Sequence, residues 1–194
     1  MNYAARTHTC GELRAKDSGE DVLLCGWVDR QRDHGGVVFI DLRDRYGETQ
    51  IVFHPEQEEL YAQAKTLRSE FVIAIKGRVE KRPDGMINKA MSTGEVEVTV
   101  VELEVLNEAK TTPFEIIDRI EASEDLRLRY RYLDLRRPSM RKNMMLRHQV
   151  YQQVRRFFDQ EDFVEVETPV LMRSTPEGAR DFLVPSRVQQ GKFY

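Results

Sequence analysis

Eight residues restrict the folds open to this chain more than any others. In Val37–Asp44 the side chains alternate: Val38, Ile40 and Leu42 share one face, whereas Val37, Phe39, Asp41 and Arg43 share the other. A period of two belongs to a strand with one face in a core. Comparable segments flank it. Val22–Val28 precedes it, across a turn at Asp33-His34-Gly35-Gly36, and Glu48–His54 follows a turn near Tyr46-Gly47. The period then changes: Leu60, Ala64 and Leu67 fall at i, i+4 and i+7, which predicts a helix over Gln57–Arg68. Glu70–Val79 and Glu95–Leu106 read as two more strands, separated by the loop Arg82-Pro83-Asp84-Gly85.

Five strands with one helix between the third and fourth is the order of an OB-fold barrel. This reading assigns residues 1–110 to the barrel. A connector of weak periodicity begins at Thr111-Thr112-Pro113 and runs to residue 125, and residues 126–194 open a second, α+β unit. The fold class is therefore mainly β plus α. In the second unit Pro138 suits the first turn of a helix. There Leu146, Val150, Val154 and Phe157 form an apolar stripe at i, i+4, i+8 and i+11. Phe163–Val166 reads as a short strand, ended by Thr168-Pro169 because proline cannot donate to a ladder.

A net charge of −3 does not advertise a nucleic-acid binder, but the charge is unevenly spread. Between Leu126 and Arg156 ten Lys and Arg stand against one acid, Asp134. Such a run either creates a positive surface or is a solvated helix face. Cys10 and Cys25 have no His or Cys partner at ligand spacing, which argues against a metal site or a disulfide framework and makes the reduced cytoplasm the default compartment. The opening residues lack the apolar stretch of a secretory leader, and no run of about 18 apolar residues occurs, so no membrane contact is expected.

The barrel face supplies the first candidate site. An aromatic ring such as Phe39, on the face it shares with Asp41 and Arg43, can stack on an unpaired base. Arg30, Arg32 and Arg43 could hold phosphates, and Gln50 offers a donor and an acceptor to a base edge. Strand aromatics also serve as packing residues, so pattern alone leaves Phe39 between a stacking platform and a second small core.

Three strings carry a resemblance. Leu24-Cys25-Gly26-Trp27-Val28 followed by Arg30–Asp44 closely resembles the anticodon-binding barrel of bacterial aspartyl-tRNA synthetases, although lysyl and asparaginyl relatives have similar versions. Leu126–Pro138 and Thr175–Arg187 resemble the aspartyl, bacterial branch more specifically. The resemblance runs from Arg6 to Tyr194. It implies that the second unit is the start of a class II synthetase catalytic domain. It also implies that Phe39 stacks the central anticodon base, Gln50 reads the edge of that uridine, and Arg32 and Asn88 make neighbouring anticodon contacts. Glu97 matches a residue facing the first anticodon base, where a carboxylate accepts from guanine N1–H and N2–H₂; a solvated strand residue is the plain alternative. His34 occupies a turn position that differs between enzymes strict for aspartate tRNA and those that also charge asparagine tRNA. Histidine there resembles the relaxed group, with a plain turn histidine as the other reading.

Phe157–Leu171, which contains Pro169, resembles motif 1 of class II synthetases and implies a homodimer interface in the intact enzyme. Glu177 matches a glutamate that helps hold the amino group of bound aspartate; as pattern alone, Thr175-Pro176-Glu177-Gly178 is a turn. By resemblance, the parent reaction joins L-aspartate and ATP, with Mg²⁺, into aspartyl-adenylate and transfers the aspartyl group to tRNA(Asp), or also tRNA(Asn). Motifs 2 and 3, which place cationic groups and Mg²⁺ on the developing phosphate charge, are not in this sequence. The aromatics Phe193-Tyr194 in mid-strand pattern suggest a cut chain, expected to be inactive alone and to bind no cofactor itself. A freestanding RNA-binding module is the competing reading, and an asparaginyl relative is disfavoured by Leu126–Pro138 and Thr175–Arg187.

Overall fold

The computed structural model describes residues 6–171 and 182–193. They form two compact units, 1–115 and 116–194. In the first, five strands close a barrel: β1 (Asp21–His34), β2 (Val37–Arg43), β3 (Glu48–Phe53), β4 (Val72–Lys81) and β5 (Val96–Asn107), in the order β1-β2-β3-β5-β4. Only the β3–β5 pairing is parallel. Helix α1 (Glu58–Thr66) lies between β3 and β4 in sequence, as the change of period predicts.

β1 extends six residues beyond the predicted Val28 end. Its first half pairs with β4 (Asp21–Trp27) and its second with β2 (Trp27–His34), with a register shift between Val28 and Arg30. The extra residue lets one strand bend from one neighbour to the other, which is how a bulge serves closure. Gly26 sits at this handover. A Cβ there would lie 2.6 Å from the Arg43 carbonyl oxygen, so the close approach requires glycine. Sequence patterning missed the extension because Asp29–Asp33 is polar, and a polar edge resembles a loop.

The core follows the alternation. Val38, Ile40 and Leu42 are fully buried, with Val22, Leu24, Val28, Ile51, Phe53, Ile73, Ile75, Val96 and Val98 around them. Ala64 of α1 and Leu67 just beyond it are buried in this cluster, so the helix packs against the barrel. Cys10 and Leu13 join the core too. The leading segment is tied down by Asp44, whose carboxylate accepts from the backbone N–H groups of Cys10, Tyr46 and Gly47. Burial, reinforced by Asp44, holds the Cys10 thiol far above its usual pKa, and Cys25 is raised by burial to a lesser depth.

The second unit contains α2 (Glu124–Arg129), α3 (Arg131–Asp134) and α4 (Pro138–Gln160). Ser123 caps α2 by accepting from Leu126 N–H, and Pro138 stands in the first turn of α4. The basic run is organised around its single acid. Asp134 is fully buried and accepts from Arg131 at 2.7 Å and Arg137 at 2.8 Å, with Arg127 at 3.9 Å. Arg137 also donates to the Asp118 carbonyl, and the Asp118 carboxylate accepts from Ser139 N–H at the start of α4. Several of these cations are therefore internal ties.

One expectation needs correction. Phe163–Val166 forms no strand, because no described segment pairs with it and a strand is stable only through its neighbours. The α4 stripe falls on one helix as its spacing predicts, and among the described residues it is exposed: Leu146, Val150, Val154 and Phe157 are 57%, 49%, 49% and 58% exposed. Near the end of the chain, Pro185 and Phe193 make a single antiparallel bridge. No described helix is long and apolar enough to cross a membrane.

The register makes a direct test possible on β2. Ile40→Ala, at a fully buried position, is expected to lower unfolding free energy by about 2–5 kcal/mol in urea titration, whereas Phe39→Ala next to it leaves the barrel folded. In the native protein Cys10 is expected to resist alkylation at pH 8, since the thiolate is the nucleophile, and to react once the chain is denatured.

Candidate nucleic-acid interface

Residues that alternate with the core side chains point away from it, and four neighbouring strands bring theirs together. Arg32 on β1 pairs with Phe39 on β2, Phe39 pairs with Val52 on β3, and Asp41 pairs with Gln50 on β3. Glu97 projects from β5, between the core residues Val96 and Val98. Phe39 is half-buried and lies outside the aliphatic core cluster. A cleft of about 730 Å³ opens over this face. Arg32, His34, Phe39, Gln50, Asn88 and Glu97 all line it. Val37, Val52 and Met86 give it an apolar side on which a planar ring can rest.

The floor is a continuous polar chain. Asp41 accepts from Arg32 Nη2 at 2.7 Å, and the same nitrogen donates to Gln50 Oε1 at 3.2 Å. Gln50 Nε2 donates to Glu97 Oε2 at 2.8 Å, and Arg82 Nε lies 3.9 Å from that oxygen. Arg82 Nε also donates to the Val96 carbonyl at 3.0 Å. Asp41, Gln50 and Arg82 are all buried. Burial pushes the Asp41 carboxyl above its usual pKa, with Arg32 pulling it back. Burial likewise pushes Arg82 down, opposed by Glu97 and Asp41. Arg82 Nη2 is buried and has no hydrogen-bond partner. A buried N–H of this kind is uncommon in folded proteins.

His34 is exposed and ends β1 opposite Val37. The next two residues, Gly35 and Gly36, have φ of +63° and +82°. Two consecutive positive φ values make the tight two-residue hairpin that matches strand twist, and this turn holds His34 at the rim of the cleft. Asn88 belongs to the loop between β4 and β5. Its side-chain oxygen accepts from Ala90 N–H and its own N–H donates to Gly94.

Arg82 and Asp41 are the members of this floor that sequence reasoning did not single out. Asp41 shares the face of Phe39, which was legible; Arg82 precedes Pro83-Asp84-Gly85 and reads only as the start of a loop. Glu177 lies outside the described residues. Pro169 is exposed, in the irregular segment after α4. Among the described residues no three metal-ligating side chains converge.

The ion pair beneath the cleft has a measurable consequence. Glu97→Ala leaves the Arg82 guanidinium buried without its nearer counter-charge, for an expected loss of about 1–3 kcal/mol of stability. Glu97→Gln, which keeps an acceptor for Gln50, is expected to lose less in the same denaturant titration.

Residues 22–106 match the model of the OB-fold nucleic acid binding domain, and residues 123–194 that of the tRNA synthetases class II (D, K and N). The chain is 60% identical over 190 residues to the aspartate–tRNA(Asp/Asn) ligase of Desulfatibacillum aliphaticivorans, covering 97% of this chain and 32% of that protein. It is 59% identical over 191 residues to the enzyme of the same name from Oleidesulfovibrio alaskensis, covering 98% and 32%. The chain thus spans about a third of the length of the curated relatives it matches. Among solved structures it is similar to asparaginyl-tRNA synthetase from Pyrococcus horikoshii complexed with asparaginyl-adenylate, with TM-score 0.81 and 26% identity over 95% of this chain and 41% of that one. In fold it also resembles aspartyl-tRNA synthetase from Entamoeba histolytica, with TM-score 0.77 and 20% identity over 87% and 40%. The first unit thus matches a nucleic-acid-binding barrel, and the second the class II tRNA synthetases of the D, K and N group.

Proposed function

We propose that this chain is the anticodon-reading portion, with the beginning of the catalytic domain, of an aspartate–tRNA ligase that accepts both aspartate and asparagine tRNAs. The observation that carries this reading is the cleft, in which an outward ring and a chain of polar side chains from four adjacent strands converge. The name shared by its relatives, aspartate–tRNA(Asp/Asn) ligase, supports the choice of amino acid and the relaxed tRNA preference.

In this reading Phe39 stacks the central anticodon base, and Gln50 meets the uracil edge with one donor and one acceptor. Arg32 and Asn88 contact neighbouring nucleotides, Glu97 accepts from the guanine at the first anticodon position, and His34 at the rim sets tolerance between the two tRNAs. In the intact enzyme Glu177 holds the amino group of aspartate. The exposed stripe of α4 and the segment around Pro169 meet a second subunit, consistent with apolar side chains that no described residue covers. Adenylate formation with ATP and Mg²⁺ belongs to that intact enzyme. Within it the role of this chain is recognition. Its compartment is the one where charged tRNA is used, the cytoplasm.

The decisive experiment is aminoacylation by the full-length enzyme with purified aspartate and asparagine tRNAs side by side. Aspartylation of both is expected; failure with asparagine tRNA, while aspartate tRNA is saturated, rejects the relaxed preference. Phe39→Ala is expected to weaken tRNA binding by about 1–3 kcal/mol, and an unchanged dissociation constant removes Phe39 from the interface. The logarithm of affinity is also expected to fall linearly with the logarithm of salt concentration, as condensed counterions are released.

A further inference from the structure

A glutamine by itself is a poor judge between uracil and cytosine. Uracil presents an N3–H donor beside an O4 acceptor; cytosine presents an N3 acceptor beside an N4–H₂ donor. A side-chain amide has one donor end and one acceptor end, so a half-turn about its last bond exchanges them and suits either base. Discrimination therefore requires something that prevents the half-turn.

The floor of the cleft contains such a device. On one side of Gln50 stands the Arg32 guanidinium, which can only donate and lies 3.2 Å from Oε1. On the other stands the Glu97 carboxylate, which accepts from Nε2 at 2.8 Å. Reversing the amide would press N–H₂ against a guanidinium and a carbonyl oxygen against a carboxylate, both repulsive. Arg32 in turn is held by Asp41, 8% exposed, through a charge-assisted bond of 2.7 Å. Asp41 lies beneath the residues that line the cleft. Its register opposite Gln50 on the neighbouring strand places it where it restrains Arg32.

We propose that Asp41 is a positioning residue for base choice: by anchoring Arg32 it locks the Gln50 amide in the one orientation that matches uracil and opposes cytosine. This rests on Gln50 reading the central anticodon base. The second lone pair of Oε1 then accepts N3–H of uracil, and the second N–H of Nε2 donates to O4. Cytosine meets donor against donor and acceptor against acceptor, and the amide cannot turn to relieve either.

The test uses the full-length enzyme and two aspartate tRNA transcripts that differ only in U or C at the central anticodon position, read as the ratio of their kcat/KM. Asp41→Ala is expected to shrink this ratio about tenfold, chiefly by improving the C transcript relative to the U transcript, the scale of one base-edge contact. Asp41→Asn, of the same size and still an acceptor, is expected to keep part of the ratio and to melt close to the parent, so the result does not hang on one variant folding. Asp41→Glu, which retains the charge, is expected to restore most of it. In a Gln50→Ala background the Asp41 substitutions are expected to leave the ratio alone, because the residue they act through is gone. A ratio unchanged in both Asp41→Ala and Asp41→Asn overturns the proposal, as does an equal reduction with and without Gln50. If the unmutated enzyme charges both transcripts equally, it is the base-reading role of Gln50 that fails, and the proposal with it.

Discussion

A strand that gives one face to a core must give the other to something else, and most of this structure follows from that constraint on β2. Val38, Ile40 and Leu42 enter the barrel, which obliges Phe39 and Asp41 to face away. Pairing transmits the same choice to β1 and β3, so that Arg32 and Gln50 arrive beside them. A slip of one residue would turn every one of these side chains inward. The fully buried aliphatics make such a slip costly, and the geometry of the cleft is therefore as secure as the core beneath it.

Charges buried by this arrangement are not left alone. Asp41 has Arg32, Glu97 has Gln50 and approaches Arg82, and Glu70 is paired with Arg43, which also reaches Asp29. In the second unit Asp134 plays a similar part among Arg127, Arg131 and Arg137. Removing one partner of a buried pair leaves the other desolvated and unmatched, which is far more harmful than never having had the pair. These groups specify geometry more than they add net stability.

Much of this was legible in the sequence, for reasons that can be stated. Alternation revealed β2 and its two faces, and the change of period at Leu60, Ala64 and Leu67 revealed α1, because both depend on local spacing. The resemblance named Arg32, Phe39, Gln50, Asn88, Glu97 and His34, and the fold brings all six to one cleft. What spacing could not supply was pairing across the barrel. The join of Gln50 to Glu97 spans 47 positions, and only closure of β3 against β5 makes it. Arg82 was missed for the same reason, since its partners lie on other strands. The polar second half of β1 falls outside the predicted strand, and Phe163–Val166 reads as one, because a pattern records which side chains could pair and not whether a neighbour is present.

Because the polar groups beneath Phe39 already hold one another, the face is shaped before anything lies on it. In the proposed reading a matching nucleotide finds spare lone pairs and N–H groups and leaves those bonds in place, whereas a mismatched one meets like against like on a floor that cannot yield. Such a surface needs little rearrangement for the right sequence and turns the wrong one away by its stiffness.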